Sequence, residues 1–432
     1  MNKTIAIITM FIFLQPNTVF GQEVEPAVLH IQEAYSLLVQ NWPVSGKEAF
    51  QRRITELNRK IAGSGWQPEL QVSARASYQS DVTEVPFSAP GTETPVFSKD
   101  HYNISLNASQ TLYDGGRSRA IQQTEQYTGD AELARIEMEL HSVKNRMEQV
   151  WFGIMLLQKE YKTFQLMRDD VHEQLGLVQS MVGNGVLLPS DELVMRAELI
   201  RIEQELTRVT GRIKAGYSVL SEFLGIEIST NMELHTDEFL DRPHGSAAEL
   251  TRPEYDLFEA SSRILDSQSK IAGSEMLPAV SLFATSAYGR PGLNVFEDDL
   301  QFYWVLGLRA QWSFRNTRNA KLKSEVISLQ KNNVDADRDA FTRNLNASLR
   351  NLEEEMDATE LLIEQDKEVV RLRGLVAEEK KNMLLQGTIT STEYINELNA
   401  ENRARLNLET RKIRLMQLIA QYKTTRGDVW ND

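Results

Sequence analysis

One run of residues leaves this chain few ways to fold. From Leu133 the positions Leu133, Ile136, Leu140, Val143, Met147, Val150, Ile154, Leu157, Tyr161, Phe164, Arg168, Val171, Leu175, Val178 and Val182 advance by alternating steps of three and four, and only Arg168 is not apolar. A seam of that period, held for about seven heptads, makes a supercoiled rod rather than a globule. A helix from about residue 117 to 182 is roughly 100 Å long, at about 1.5 Å per residue. Met195, Leu199, Ile202, Leu206, Val209, Ile213, Gly216, Leu220 and Phe223 repeat the rhythm in a return helix. Later in the chain Leu345, Leu349, Leu352, Met356 and Ile363 keep a seam until Asp366 and Arg373 interrupt it, and the last helix is polar at many seam positions between Ile395 and Ile413. That interruption reads either as a helix face turned to a wet lumen or as a different register.

The segments before the rods have period two. Leu70, Val72, Ala74, Ala76 and Tyr78 alternate with Gln71, Ser73, Arg75 and Ser77, and Tyr102, Ile104, Leu106, Ala108 and Leu112 alternate with Asn103, Ser105, Asn107, Ser109 and Thr111. Val280, Leu282, Ala284 and Tyr288 mark a third strand, and Phe302, Trp304, Leu306, Leu308, Ala310, Trp312 and Phe314 a fourth. About ten residues is the length of a tilted strand crossing a bilayer. Aromatic residues near the strand ends suit the two membrane interfaces. A soluble half-buried sheet gives the same alternation, but it needs a covering layer, and the rest of the chain is committed to coiled coil.

The pattern occurs twice. Lys60 to Tyr78 aligns without gaps with Lys270 to Tyr288, Pro43 falls in register with Pro253, Ser109 to Arg117 lines up with Ala310 to Arg318, and Gly185 to Leu193 with Gly387 to Ile395. The expected organisation is a leader at residues 1–21, a first repeat at 22–228, a linker at 229–252 and a second repeat at 253–432. Strands are expected at about 69–79, 101–113, 279–289 and 301–314, and helical hairpins at about 117–225 and 318–426.

The leader reading rests on Lys3 followed by an apolar core from Ile5 to Leu14. At about ten residues this core is half the length of a spanning helix. The alternative is a buried N-terminal helix. The net charge of −14 argues against a nucleic-acid partner. The chain has no cysteine, which removes disulfides and thiolate metal sites. His30, His101, His141, His172, His235 and His244 lack metal-ligand spacing, and His141 and His172 on the long helix read as solvated. No nucleophile–base pair is visible, so an enzyme, a cofactor and a metal are not expected.

Four strands cannot close a barrel in hydrocarbon, where each unpaired edge group costs several kcal/mol. Identical copies must pool their strands. Two copies would give eight strands and a filled interior; three would give twelve and a lumen. At the strand-to-helix junction, Tyr113-Asp114-Gly115-Gly116, the glycines allow unusual dihedrals and Asp114 can cap the following helix.

These residues resemble the TolC family of outer-membrane efflux proteins. The similarity rests on "LYDGGRSRA" at the junction, the proline-led strands at Pro68 and Pro278, and the paired turns at Gly185 and Gly387, each with a hydroxyl and an acid following. The resemblance implies a mixed membrane α+β fold: a homotrimer with a 12-stranded transmembrane β-barrel, four strands per chain, continued by a long periplasmic α-helical coiled-coil barrel, with internal duplication. It implies the outer membrane of a Gram-negative bacterium, contact with its lipid, and a large periplasmic portion. The implied role is a passive exit channel for a tripartite efflux pump or type I secretion system, with a periplasmic adaptor and an inner-membrane transporter as partners. Gly185, Val186, Leu187, Gly387, Thr388 and Ile389 fall on the family's adaptor-docking tips, although any connecting turn looks similar. Asp191, Glu393 and Glu397 are candidates for an acidic periplasmic mouth, with a solvated helix face as the alternative. Asn396 stands where the family often has a further acid. A periplasmic coiled-coil adaptor, with one hairpin, and a soluble structural coiled coil are the competing functions.

Overall fold

The computed structural model describes residues 28–82, 97–236, 250–294 and 296–428. The expected leader at 1–21 and most of the expected linker at 229–252 lie outside the described residues. In chain order the elements are β1 (Val28–His30), α1 (Ile31–Asn41), α2 (Ser45–Gly63), a 3₁₀ turn (Ser64–Trp66), β2 (Glu69–Tyr78), β3 (Asp100–Tyr113), α3 (Arg117–Gly183), α4 (Pro189–Leu224), β4 (Glu233–His235), α5 (Pro253–Ser274), β5 (Ala279–Arg290), β6 (Gln301–Gln311), α6 (Phe314–Leu385) and α7 (Ser391–Arg426).

The rods form because their seams find each other. α3 runs 67 residues and α6 runs 72. α4 folds back along α3, and α7 along α6. Val143, Met147 and Ile154 of α3 are buried in one cluster with Leu220 of α4, and Val171 and Val178 in another with Met195 and Ile202; Leu157 and Val209 are buried as well. Met167 is buried at the level where the expected seam had Arg168. Arg168 instead reaches sideways to Asp169. The physical reason is the drift of a straight helix against a strict heptad, which accumulates over several turns until the neighbouring position takes the seam.

The polar interruptions in the second hairpin have a specific cause. Asp366 of α6 meets Arg411 of α7 at 2.5 Å, and Arg373 of α6 meets Glu397 of α7 at 3.0 Å. Glu355 and Arg414 pair in the same way at 2.7 Å. Opposite charges placed across the hairpin stand in for apolar knobs, so the helices stay in register there without a greasy seam.

Two buried clusters divide the rods. One gathers Tyr35 and Leu38 of α1, Trp151 and Phe152 of α3, Tyr217 of α4, Leu349 of α6 and Leu418 of α7 at one level. At about 2–3 kcal/mol for each fully buried large side chain, this level is a strong anchor for all four rods. The parallel pairing of β1 with β4 ties the chain's first described residues to the end of the first hairpin. The second cluster lies at the hairpin tips and combines Val178, Leu187 and Met195 with Leu384, Ile389 and Tyr394.

The strands form one antiparallel sheet in the order β2-β3-β5-β6. Phe314, expected as the end of the fourth strand, is the first residue of α6, because β6 stops at Gln311. Trp312 turns away there and its indole N–H donates to the Met276 carbonyl at 3.1 Å. A bulge between Thr111 and Tyr113 adds one residue to β3. The ungapped alignment of Ser109 with Ala310 is therefore one position out within the strand, since Ser109 pairs with Glu69 while Gln311 pairs with Ala279.

Candidate functional site

The sheet is inside out by the standard of a soluble protein. Register places Leu70, Val72 and Ala74 beside Ala108, Leu106 and Ile104 on one face. Tyr288, Ala284 and Leu282 continue that face to Phe302, Leu306 and Leu308. The side chains of the outer strands are bare, Val72 at 72% exposed and Leu308 at 68%, while Ala108, Leu282 and Ala284 of the inner strands are half-covered. The opposite face is polar and better covered, with Ser105 only 9% exposed. It is hydrogen-bonded across strands, Ser73 with Ser105 at 2.8 Å, Thr285 donating to Asn107 at 2.9 Å and Asn103 donating to Tyr303 at 2.9 Å. A recess of about 550 Å³ opens on this polar face, lined by Ser73, Arg75, Asn103 and Tyr303 among others. Within the described chain β2 and β6 are sheet edges, and neither has a second neighbour. Water cannot be the solvent for such an apolar face, nor hydrocarbon for the open edges.

The junction residues sit where strand gives way to rod. Asp114 accepts from the backbone N–H of Gly116 at 2.9 Å and of Ser118 at 2.7 Å. Burial opposes its charge, but the bonds from Ser118 and Gly116 outweigh it and hold its carboxyl below the usual range. Gly115 and Gly116 have φ of +67° and +86°. A Cβ on Gly115 would lie 3.1 Å from both Leu277 and the Ser274 carbonyl, so the α3 start packs tightly on the α5–β5 turn. Tyr113 ends β3 beside them.

The six tip residues come together, but not as equals. Leu187 and Ile389 are buried inside the tip cluster. Gly185, Val186, Gly387 and Thr388 are exposed, as is Leu188. The two turns touch: a Cβ on Gly387 would meet Val186 Cγ1 at 2.9 Å. The three acids all have local partners. Asp191 is buried, accepts from the Ser391 N–H at 2.7 Å and so fastens one tip to the other. Glu393 accepts from the Thr390 N–H at 3.0 Å in a capping box. Glu397 pairs with Arg373.

Sequence reasoning missed a polar network at the upper buried cluster. His141, expected in solvent, lies half-buried with Nε2 2.7 Å from the Thr424 carbonyl and 3.1 Å from the Arg252 guanidinium. Burial, and then the Arg252 charge, push its pKa down. α7 and the start of α5 both cover this face of α3, which no one-helix pattern reveals. Among the described residues no helix is long and apolar enough to cross a membrane. Among the same residues no group of acids and histidines could hold a metal ion.

Comparison with known proteins agrees with this geometry. Residues 35–225 match the family model described as "Outer membrane efflux protein". The structure is similar to that of CusC, with a TM-score of 0.74, 12% identity, and 96% of this chain and 98% of that one covered. It is similar to the outer-membrane channel OprN, with a TM-score of 0.72, 14% identity, and 93% and 90% covered. It is also similar to the CmeC outer membrane channel of Campylobacter jejuni, with a TM-score of 0.66, 14% identity, and 92% and 85% covered. At these identities the structural likeness is one of fold. No curated protein sequence matches the chain.

Proposed function

We propose, for a chain whose residues 35–225 match the model of the outer membrane efflux proteins, that it is a member of that family and a homotrimeric exit duct. Proteins of this family are channels in the outer membrane of Gram-negative bacteria and not enzymes. The duct passively conducts substrates handed over by an inner-membrane transporter through a periplasmic adaptor, in a tripartite efflux pump or a type I secretion system. The observation that carries the reading is the sheet with its apolar face bare and both edges unpaired. Such a sheet is stable only when copies close it within lipid.

Twelve strands from three copies leave a lumen, whereas eight from two fill with side chains. The helical layer supports a head-to-tail ring. α5 packs against both α3 and α6. α2, whose sequence repeats that of α5, packs on α3 and leaves Phe50, Ile54, Leu57 and Ile61 bare on its other side. α6 leaves Leu322, Val326 and Leu329 bare. The two stripes share the spacing of four then three residues, so α6 of one copy fits α2 of the next.

The tips dock the adaptor. Val186, Leu188 and Thr388 present the contact, Gly185 and Gly387 let another backbone approach, and Leu187 and Ile389 fix the tips from within. Asp191, Glu393 and Glu397 hold the tip geometry through the bonds described above, and exposed Glu393 is the one of the three best placed to add a charge to the mouth. A periplasmic adaptor with one hairpin, or a soluble rod, has no use for a second hairpin joined to a bare apolar sheet. The test is extraction and reconstitution. The protein should leave the outer membrane only with detergent, run as a heat-sensitive trimer and conduct ions in a planar bilayer. A water-soluble monomer would sink the proposal.

A further inference from the structure

The polar face of the sheet carries two arginines, Arg75 on β2 and Arg309 on β6, one on each edge strand. Neither has a carboxylate partner among the described residues. Arg309 is braced: its guanidinium lies 5.1 Å from the centre of the Phe283 ring. That ring needs Gly307 opposite it, because a Cβ there would meet Phe283 at 2.8 Å. Apart from Glu69 at the helix-side end of β2 and Asp100 at the far end of β3, which is paired with Arg290 of β5, the polar positions of β2, β3, β5 and β6 are uncharged or basic.

The register says where these arginines meet. β5 repeats β2 with Lys270 to Tyr288 matching Lys60 to Tyr78, so Thr285 corresponds to Arg75 and Ser281 to Gln71. Gln71 pairs with Asn107, and Ser281 pairs with Arg309, so Asn107 corresponds to Arg309. Within one copy Asn107 pairs directly with Thr285, and the two side chains share a hydrogen bond. Carried round a closed wall, the same register sets Arg309 of one copy directly opposite Arg75 of the next.

We infer that each seam between copies is an anion site, and that three such sites ring the barrel lumen. This rests on the trimeric duct proposed above. Like charges directly opposed across strands repel and destabilise the pair unless a counter-ion sits between them. Two guanidinium forks facing a lumen bind the oxygens of carboxylates, phosphates and sulfonates in bidentate fashion. A charged ring in a narrow wall raises the local concentration of the opposite charge and so selects what passes. The cargo class this favours is anionic solutes, with the barrel acting as the anion-preferring segment of a duct whose rods are close to balanced in acids and bases.

Two measurements on the full-length protein, purified as the trimer, test this. The natural chain has no cysteine, so Arg75→Cys with Arg309→Cys introduces the only thiols. Mild oxidation should link copies into covalent dimers and trimers that survive boiling without reductant, while each single variant stays monomeric on the same gel. In planar bilayers under a KCl gradient, Arg75→Gln with Arg309→Gln should shift the reversal potential towards cations, lowering the chloride-to-potassium permeability ratio about threefold or more. A trimeric, conducting pore that fails to cross-link, or whose double glutamine variant keeps the wild-type ratio, overturns the arginine ring and leaves the duct standing. A wild-type chain that forms neither trimer nor pore overturns the duct and the ring with it.

Discussion

Glu148 is 4% exposed, and one of its carboxylate oxygens receives two hydroxyls, Tyr35 Oη and Thr424 Oγ1, each at 2.5 Å. It sits on α3, and the hydroxyls come from α1 and α7, so one oxygen joins three elements. Burial dominates and raises the carboxyl's pKa above the ordinary 4.5, against the two hydroxyls and then the positive charge of Lys144, one turn away, which lower it. The folded protein therefore holds this proton more tightly than the unfolded chain. Stability from that linkage is full below about 4.5 and is lost as pH rises through the folded value. Glu148→Gln removes the titration while keeping an oxygen for the hydroxyls. As pH is lowered from about 8 to about 5, the wild-type Tm should gain on that of the variant. His141 contributes to both proteins equally and cancels. A constant difference across that range would show that Glu148 does not titrate there. The tip glycines offer a second comparison. Gly185 and Gly387 both have positive φ, 75° and 68°, but a Cβ on Gly185 meets nothing within 4 Å while one on Gly387 strikes Val186. Alanine at Gly185 should cost about 1 kcal/mol of stability for conformation alone. Alanine at Gly387 should cost more, and should also loosen the tips, read as faster proteolysis at the turns.

At the scale of elements, the second hairpin shows how a rod can be specified without a continuous apolar seam. Asp366 and Arg411 face each other from α6 and α7, with the Asp366 side chain mostly covered and Arg411 about a third exposed. Removing one partner strands the other charge, so Asp366→Ala should lower stability by about 1 kcal/mol. Asp366→Leu with Arg411→Leu should recover that loss or exceed it, because two leucines at a seam avoid the desolvation that the ion pair suffers. Thermal unfolding of the single and double variants in detergent decides this. The polar positions of this hairpin were visible in the sequence, and two meanings fitted them. The pairing of residue 366 with 411 gives a third meaning, and it depends on how two residues 45 apart in sequence, on helices joined by a short turn, settle against each other.

At the scale of the molecule, the described chain leaves unpartnered surface on two levels. The sheet lacks neighbours at β2 and β6, and the helix layer lacks one beside α2. Phe50 and Ile61, each 70% exposed, mark that gap. If the chain forms the proposed trimer through α2, Phe50→Glu with Ile61→Glu should shift the detergent-extracted protein from trimer to monomer without altering the helix content of the monomer, as read by light scattering and circular dichroism. A trimer that tolerates both charges would remove α2 from the interface.

The local periods were enough to mark the rods and the two-faced strands, though not where β6 stops, because a 3.5-residue or two-residue repeat is written into consecutive side chains. Asp114 and the glycine pair were legible for the same reason: a cap and a left-handed turn involve neighbours in sequence. What the tertiary structure decided are relations between distant segments. Val186 rests on Gly387, Asp191 holds the Ser391 N–H, His141 is covered by α7, and the Thr111–Tyr113 bulge adds a residue to β3 that the ungapped alignment with β6 leaves out. Such relations turn on register, and a single inserted residue flips a strand's faces while leaving every local pattern intact.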